Sequence, residues 1–200
     1  RARNYIHEWI FHQLMQEGDL IALKYKFLNL KINGENKGLY VLEEGFDKIL
    51  IERNKRRNGP IFSLKEEWNP IQNDKNGKDI LFQVYNKKNW LSEKNVKLTL
   101  FANNLLKEFF NDNLDVEEVF DVKKWAWYFA ASDINYYDHG TVLKSVKFYF
   151  NPLTAKFEPI PFDGHRIVVD FNENIIDWQK GSYRNSAPSF SSAISCKKNI

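Results

Sequence analysis

The chain has 200 residues, 29 Lys and Arg against 26 Asp and Glu, 43% hydrophobic and 16% aromatic content, and one cysteine. That aromatic content excludes disorder, the lone Cys196 excludes an internal disulfide framework, and with four histidines a structural zinc site is not expected. No apolar run reaches the roughly 18 residues of a membrane span, and a net charge of +3 does not by itself mark a polyanion binder. Residues 1–100 hold 18 Lys and Arg against 13 Asp and Glu, and residues 101–200 hold 11 against 13. A basic half beside an acidic half suits a cleft with an anion on one side and a metal on the other, although a chance imbalance looks the same. The chain opens Arg1-Ala2-Arg3 with no initiator Met and no apolar leader, so it is expected to be a segment of something longer.

In chain order, residues 3–16 place Ile6, Ile10 and Leu14 four apart with Trp9 beside them, which predicts an amphipathic helix ended by Gly18. Residues 21–44 read as a β-hairpin with its loop near 33–37, opened by Asn33-Gly34. Residues 45–57 look helical, with Phe46, Ile49 and Leu50 on one face; Asn58-Gly59-Pro60 breaks the pattern and 61–67 forms another strand. Residues 68–95, rich in Asn, Lys and Gly, read as a variable, partly loop insertion. Two helices follow, over 96–110 and 121–136; Trp125, Trp127 and Tyr128 are expected to be mostly core. A second hairpin joins 146–150 to 156–162 across Asn151-Pro152-Leu153-Thr154, and the pattern weakens after about residue 170. Strands first and helices later predict an α+β, bilobal protein.

Three places have the residue types that chemistry needs. Asp163 follows a strand and precedes Gly164, an arrangement that commonly holds Mg²⁺ against substrate phosphates and equally makes an ordinary Asp-Gly turn. Asp133 and Asp138 lie where a helix runs out into Tyr136-Tyr137-Asp138-His139-Gly140; Asp133 is placed to orient a hydroxyl and Asp138 to hold a metal. Phosphoryl transfer needs one carboxylate near the nucleophile and one on the metal, because positioning and charge neutralisation supply most of the catalysis. Lys65, with Glu44 at the end of the preceding strand, has the types of a phosphate lysine and its partner, or of an exposed ion pair. His7 and His12 are five apart and diverge by about 140° on a helix, so they do not share a metal. The basic run 53–57 reads as a solvated helix end, and Asn33–Gly38 as a hairpin turn.

The segments NGENKGLYVLEE (33–44), FDK (46–48), GPIFSLKEE (59–67), ASDINYYDHG (131–140) and KFYFNPLTAKFEPIPFDGH (147–165) resemble, in order and spacing, the spore coat protein H (CotH) kinase family. The resemblance implies a bilobal, atypical protein-kinase-like fold and ATP- and Mg²⁺-dependent phosphorylation of serine or threonine on a partner protein. It implies a strand-rich lobe over 1–95 and a helical lobe over 96–200 that is cut short, since the family normally continues past the metal aspartate. It matches Asp163 to the metal aspartate, Asp133 to the catalytic aspartate and Glu44 to the glutamate after the GLY strand. Lys65 is the nearest candidate for the nucleotide lysine and Asp138 for a second metal ligand. The family often has lysine where this chain has Ser63, and asparagine where it has Lys144-Ser145. Lys65 shares a strand face with Ser63 and stands in for it on this reading. The family occurs in bacterial spore coats and in secreted or envelope proteins; no nucleic acid and no membrane span are expected. Its alternatives are a catalytically inactive scaffold or coat-assembly module, and a module that binds anionic polymers through 53–57.

Overall fold

The computed structural model describes residues 5–64, 82–141 and 145–164. Helix α1 (Tyr5–Glu17) leads into the hairpin of β1 (Tyr25–Ile32) and β2 (Glu35–Glu43), followed by α2 (Lys48–Arg53) and β3 (Ile61–Leu64). Then come β4 (Phe82–Val84), α3 (Lys87–Trp90), α4 (Val96–Phe110), α5 (Val116–Val119), α6 (Val122–Asn135), α7 (Asp138–Thr141), β5 (Lys147–Asn151) and β6 (Lys156–Ile160). The chain is thus a mixture of helix and strand, as the α+β reading expects. Among the described residues no helix is long and apolar enough to cross a membrane.

Both predicted hairpins form. The first turns on Asn33 and Gly34 with φ of 52° and 83°, the left-handed pair that matches the twist of a two-residue hairpin. It stays a separate two-stranded sheet. The second hairpin, β5–β6, joins β3 and β4 in an antiparallel sheet of order β4-β3-β5-β6. Two of its strands therefore come from before residue 95 and two from after it. Part of the expected loop insertion is regular, since β4 is that sheet's edge and α3 follows it.

Strand alternation divides this sheet cleanly. Phe62, Leu64, Val84, Phe148, Phe150 and Phe157 lie in the larger core, with Phe11 and Met15 of α1, Leu106 and Phe109 of α4, and Trp125 and Tyr128 of α6. Ile61, Tyr149 and Ile160 face the other way, onto Ile21, Leu23 and the α2 residues Leu50 and Ile51. Helix α6 is pinned to β6, where the Phe157 carbonyl accepts from Trp125 Nε1 at 2.9 Å and from the Asp121 amide at 3.0 Å.

Helix α1 turns another face inward than its apolar spacing predicts, and α6 leaves one of its three expected core aromatics outside. In α1, Ile6, Trp9 and Ile10 are exposed, while Glu8, Phe11, His12 and Met15 are buried. The inward stripe is the one whose polar members have hydrogen-bonding work to do. In α6, Trp125 and Tyr128 are core, but Trp127 is 41% exposed, because two residues on a helix are about 200° apart.

Candidate functional site

Asp163 leaves β6 through Pro161-Phe162 and takes the left-handed conformation, φ 61°, which Asp and Asn tolerate better than other side chains with a Cβ. Its side chain is 7% exposed, and Oδ2 lies 3.0 Å from Nδ1 of His139. His139 is in α7, which begins at Asp138. The next residue, Gly140, meets the same turn: a Cβ there would stand 3.2 Å from the Phe162 carbonyl oxygen and 3.5 Å from Gly164 Cα. The Tyr128 hydroxyl donates to the Gly140 carbonyl and fixes α7 against α6. So the Asp-His-Gly and Phe-Asp-Gly segments, which the sequence singles out separately, form one site.

Gly164 is needed for room, not for turning. The left-handed residue is Asp163, while a Cβ on Gly164 would collide with the Phe11 ring of α1. Beside that ring, the buried Glu8 accepts a hydrogen bond from the Gly164 amide, 2.8 Å from Oε1. Glu8 is thus a positioning residue of the aspartate turn that sequence reasoning missed. Its signal was the i,i+4 pair Glu8/His12, hidden inside a motif weighed only for its two histidines.

His12 is fully buried; Nδ1 accepts from the Leu23 amide at 3.2 Å, and Nε2 lies 3.7 Å from Glu8 Oε1. Burial lowers its pKa despite the opposing pull of Glu8, so the ring is neutral with its proton on Nε2. Tyr25 stacks on it with centroids 5.1 Å apart. Burial, reinforced by the charges of Glu8, Glu43 and Asp163, raises the Tyr25 pKa, and the phenol stays protonated.

A pH prediction follows from His12. The folded chain refuses a proton that the unfolded chain accepts near the ordinary histidine value of about 6.5. Its contribution is therefore present above that value and lost as pH falls below it, with a slope approaching about 1.4 kcal/mol per pH unit. Urea titrations at pH 8 and pH 5.5 should show this loss, and His12→Gln should reduce it. An unchanged slope in the variant would remove His12 from that role.

Lys147 also belongs to this region. It is buried on β5 directly opposite Ser63, and its Nζ lies 5.3 Å from the centroid of the Phe162 ring. Phe162 in turn packs on Phe46 with centroids 5.2 Å apart. Phe46, Ile61 and Tyr85 line a small cleft beside it, together with Asp47, Asn86 and Trp90. Lys147 was legible only as one member of an alternating strand.

The other candidates lie as follows. Asp133 is exposed on the last turn of α6, which Tyr136 closes in the left-handed conformation. Glu44 accepts from the Lys24 amide at 2.9 Å and from Arg53 Nε at 3.0 Å, and Arg53 Nη2 holds its second oxygen. Lys65 lies outside the described residues. The basic run is more than a solvated helix end: Arg53 is committed to Glu44, and Arg56 binds the buried Glu158 at 3.0 Å.

The described parts define a mixed helix-and-strand protein with a buried strand-end aspartate beside a histidine, its turn preceded by a phenylalanine that a buried lysine of the adjoining strand covers. A family model described as CotH kinase protein matches residues 3–189. The chain belongs to that family, as its sequence motifs suggest, and membership points to a kinase-like function. A comparison with curated proteins finds no match.

Proposed function

We propose that this chain is an ATP- and Mg²⁺-dependent protein kinase that phosphorylates serine or threonine hydroxyls of a partner protein. On this reading residues 1–95 and 96–200 form the two lobes of a kinase-like fold, with the β3–β5 pairing as their seam. The observation that carries the reading is the meeting of α7 with the Phe162–Gly164 turn, which buries Asp163 beside His139 and holds it from behind through Glu8.

The donor set fits Mg²⁺. Among the described residues no three His, Cys, Asp or Glu groups gather to hold a metal unaided. Mg²⁺ is characteristically held by one or two carboxylates and completed by phosphate oxygens and water. Asp163 supplies the first carboxylate and Asp138, opening α7, is the candidate for a second. When bound, the ion neutralises charge on the β- and γ-phosphates. The cleft of Phe46, Ile61 and Tyr85 offers apolar and aromatic surface for a base. Glu44 steadies the hairpin base beside it through Arg53, and Lys65 remains a candidate for the phosphates.

In the transfer, the acceptor hydroxyl oxygen forms a bond to the γ-phosphorus as the bond to the β,γ-bridging oxygen breaks. The hydroxyl proton passes to Asp133 and ADP leaves. One observation favours a second reading, an inactive scaffold of the same family: Ser63 occupies the usual lysine position and is buried.

A thermal melt with ATP plus Mg²⁺ separates the two. A ligand at 100 times its Kd adds about 2.7 kcal/mol, which for a chain of this size raises the midpoint by roughly 5–10 °C. A rise lost on adding EDTA supports the kinase reading; an unchanged midpoint leaves the scaffold.

A further inference from the structure

We infer that the free edge of β1 is a docking surface for an extended segment of a partner protein, one with acidic residues at both ends of a short apolar stretch. The inference stands whether or not the chain transfers phosphate.

The first hairpin leaves its apolar residues uncovered. Its two strands form a sheet of their own, and an isolated two-stranded hairpin is only marginally stable in water. Among the described residues, Tyr25 is the one apolar side chain of the hairpin that packs against a core cluster. Phe27, Ile32, Leu39, Tyr40 and Leu42 are all exposed, Leu39 and Leu42 by 63% and 59%. That concentration on one small element makes a patch, and such patches mark interaction sites. Strand alternation puts Phe27 and Leu39 on the Tyr25 face and Tyr40 and Leu42 on the other. A flat partner covers one face of a sheet, whereas an added strand brings side chains to both.

The two edges differ. The register slips between Leu30 and Lys31, where β2 supplies the extra residue, Lys37. A bulge bends and blunts the edge that contains it. Strand β1 has none, and among the described residues its side away from β2 pairs with no other strand. An extended peptide added there satisfies the open amides and carbonyls with its own.

The residues of β1 state what that peptide must bring. Lys26 and Lys31 are exposed and bracket Phe27-Leu28-Asn29-Leu30. Neither ammonium meets a carboxylate among the described residues, whereas Lys37 on β2 is held by Glu35 at 2.7 Å. A strand laid beside β1 sets one residue opposite each lysine, in either direction, and opposed unlike charges stabilise such a pairing. A second copy is disfavoured, because a two-fold axis with the β1 strands in full overlap sets the Lys26 of each against the Lys31 of the other. A bilayer is disfavoured because an open strand edge in hydrocarbon leaves its backbone groups without partners.

The probe is a fluorescein-labelled peptide in which two glutamates flank four alternating valines and threonines; a second peptide has lysines in place of the glutamates. Binding to the full chain is read by anisotropy. The glutamate peptide should bind saturably and roughly tenfold more tightly than the lysine peptide. Lys26→Glu/Lys31→Glu should invert that preference, as two attractive pairs become repulsive ones and the reverse. Both positions are exposed, and a gain of lysine-peptide binding cannot come from a misfolded chain. N-methylating the valines and threonines removes the peptide's amide donors and should abolish binding. No saturable binding by the unmodified chain, an uninverted preference in the charge-reversed variant, or undiminished binding of the N-methylated peptide overturns the inference. So does a dimer in sedimentation, or binding to vesicles of phosphatidylserine and phosphatidylcholine, that excludes the glutamate peptide.

Discussion

Asp163→Asn leaves the midpoint of thermal unfolding in plain buffer within a few degrees of the parent and removes its rise with ATP and Mg²⁺. Asparagine is nearly isosteric and, like aspartate, accepts the left-handed φ of 61° found here. Alanine would combine that backbone penalty with the loss of the carboxylate, which makes asparagine the cleaner probe. What asparagine lacks is the negative charge that holds a divalent cation. Phosphate transfer from radiolabelled ATP should fall on the order of a thousandfold, the scale of losing a preorganised electrostatic contact in a transfer site. Parent-level transfer by a folded Asp163→Asn protein would remove this aspartate from the site.

Arg56→Met costs about 3 kcal/mol of stability. The Arg56 side chain is 9% exposed and its Nε lies 3.0 Å from Oε2 of Glu158, itself 4% exposed on β6. It also donates to the Asn54 carbonyl at 2.7 Å and grips both Asp19 carboxylate oxygens, at 2.9 and 3.0 Å. Burial opposes the charge, but hydrogen bonds to Asp19 and the nearby Glu158 outweigh it and raise the guanidinium pKa. Removing one partner of a buried pair leaves an uncompensated charge, at about 3–5 kcal/mol. The low end applies because Asn151 still donates to Glu158 at 2.8 Å and Lys124 stands 3.9 Å away. The midpoint should drop by roughly 6–12 °C. Adding Glu158→Gln should restore most of it, since the stranded charge is then gone; a double variant no more stable than Arg56→Met would refute the account. Asp19→Ala should cost under about 1 kcal/mol, because that carboxylate is 77% exposed and screened by water.

What was legible in the sequence was local. Asn33-Gly34 and Asn151-Pro152 specify their turns by backbone chemistry, so both hairpins were readable with near-correct bounds. Helices α4 and α6 were readable because their apolar residues recur at helical spacing. The Asp163 turn stood out because an aspartate-glycine pair ended a strongly alternating strand. Illegible were the choices that only tertiary contacts make. Helix α1 has two stripes that could turn inward, and the buried one contains Glu8 and His12, whose partners are the amides of Gly164 and Leu23. Arg53 and Arg56 look like members of an exposed basic run, yet Arg53 reaches the Ala22 carbonyl, 31 residues back, and Arg56 reaches Glu158, 102 residues on. Lys147 alternates like any surface strand lysine until β3 is known to lie beside it.

The pairing of β3 with β5 also bears on how the chain comes off the ribosome. Ile61 meets Tyr149 in that ladder, so β3 is synthesised long before its central neighbour exists. The β1–β2 hairpin, with its two-residue turn, can close early, and β4 can pair one edge of β3 before β5 is made. Until β5 emerges, the apolar strand Ile61–Leu64 presents an open edge of the kind that recruits other chains. Sheet closure must then wait on a distant partner, which slows folding relative to local hairpin or helix formation. The same late step brings Asp163 to the sheet, so the candidate metal site cannot assemble before β5 and β6 are in place.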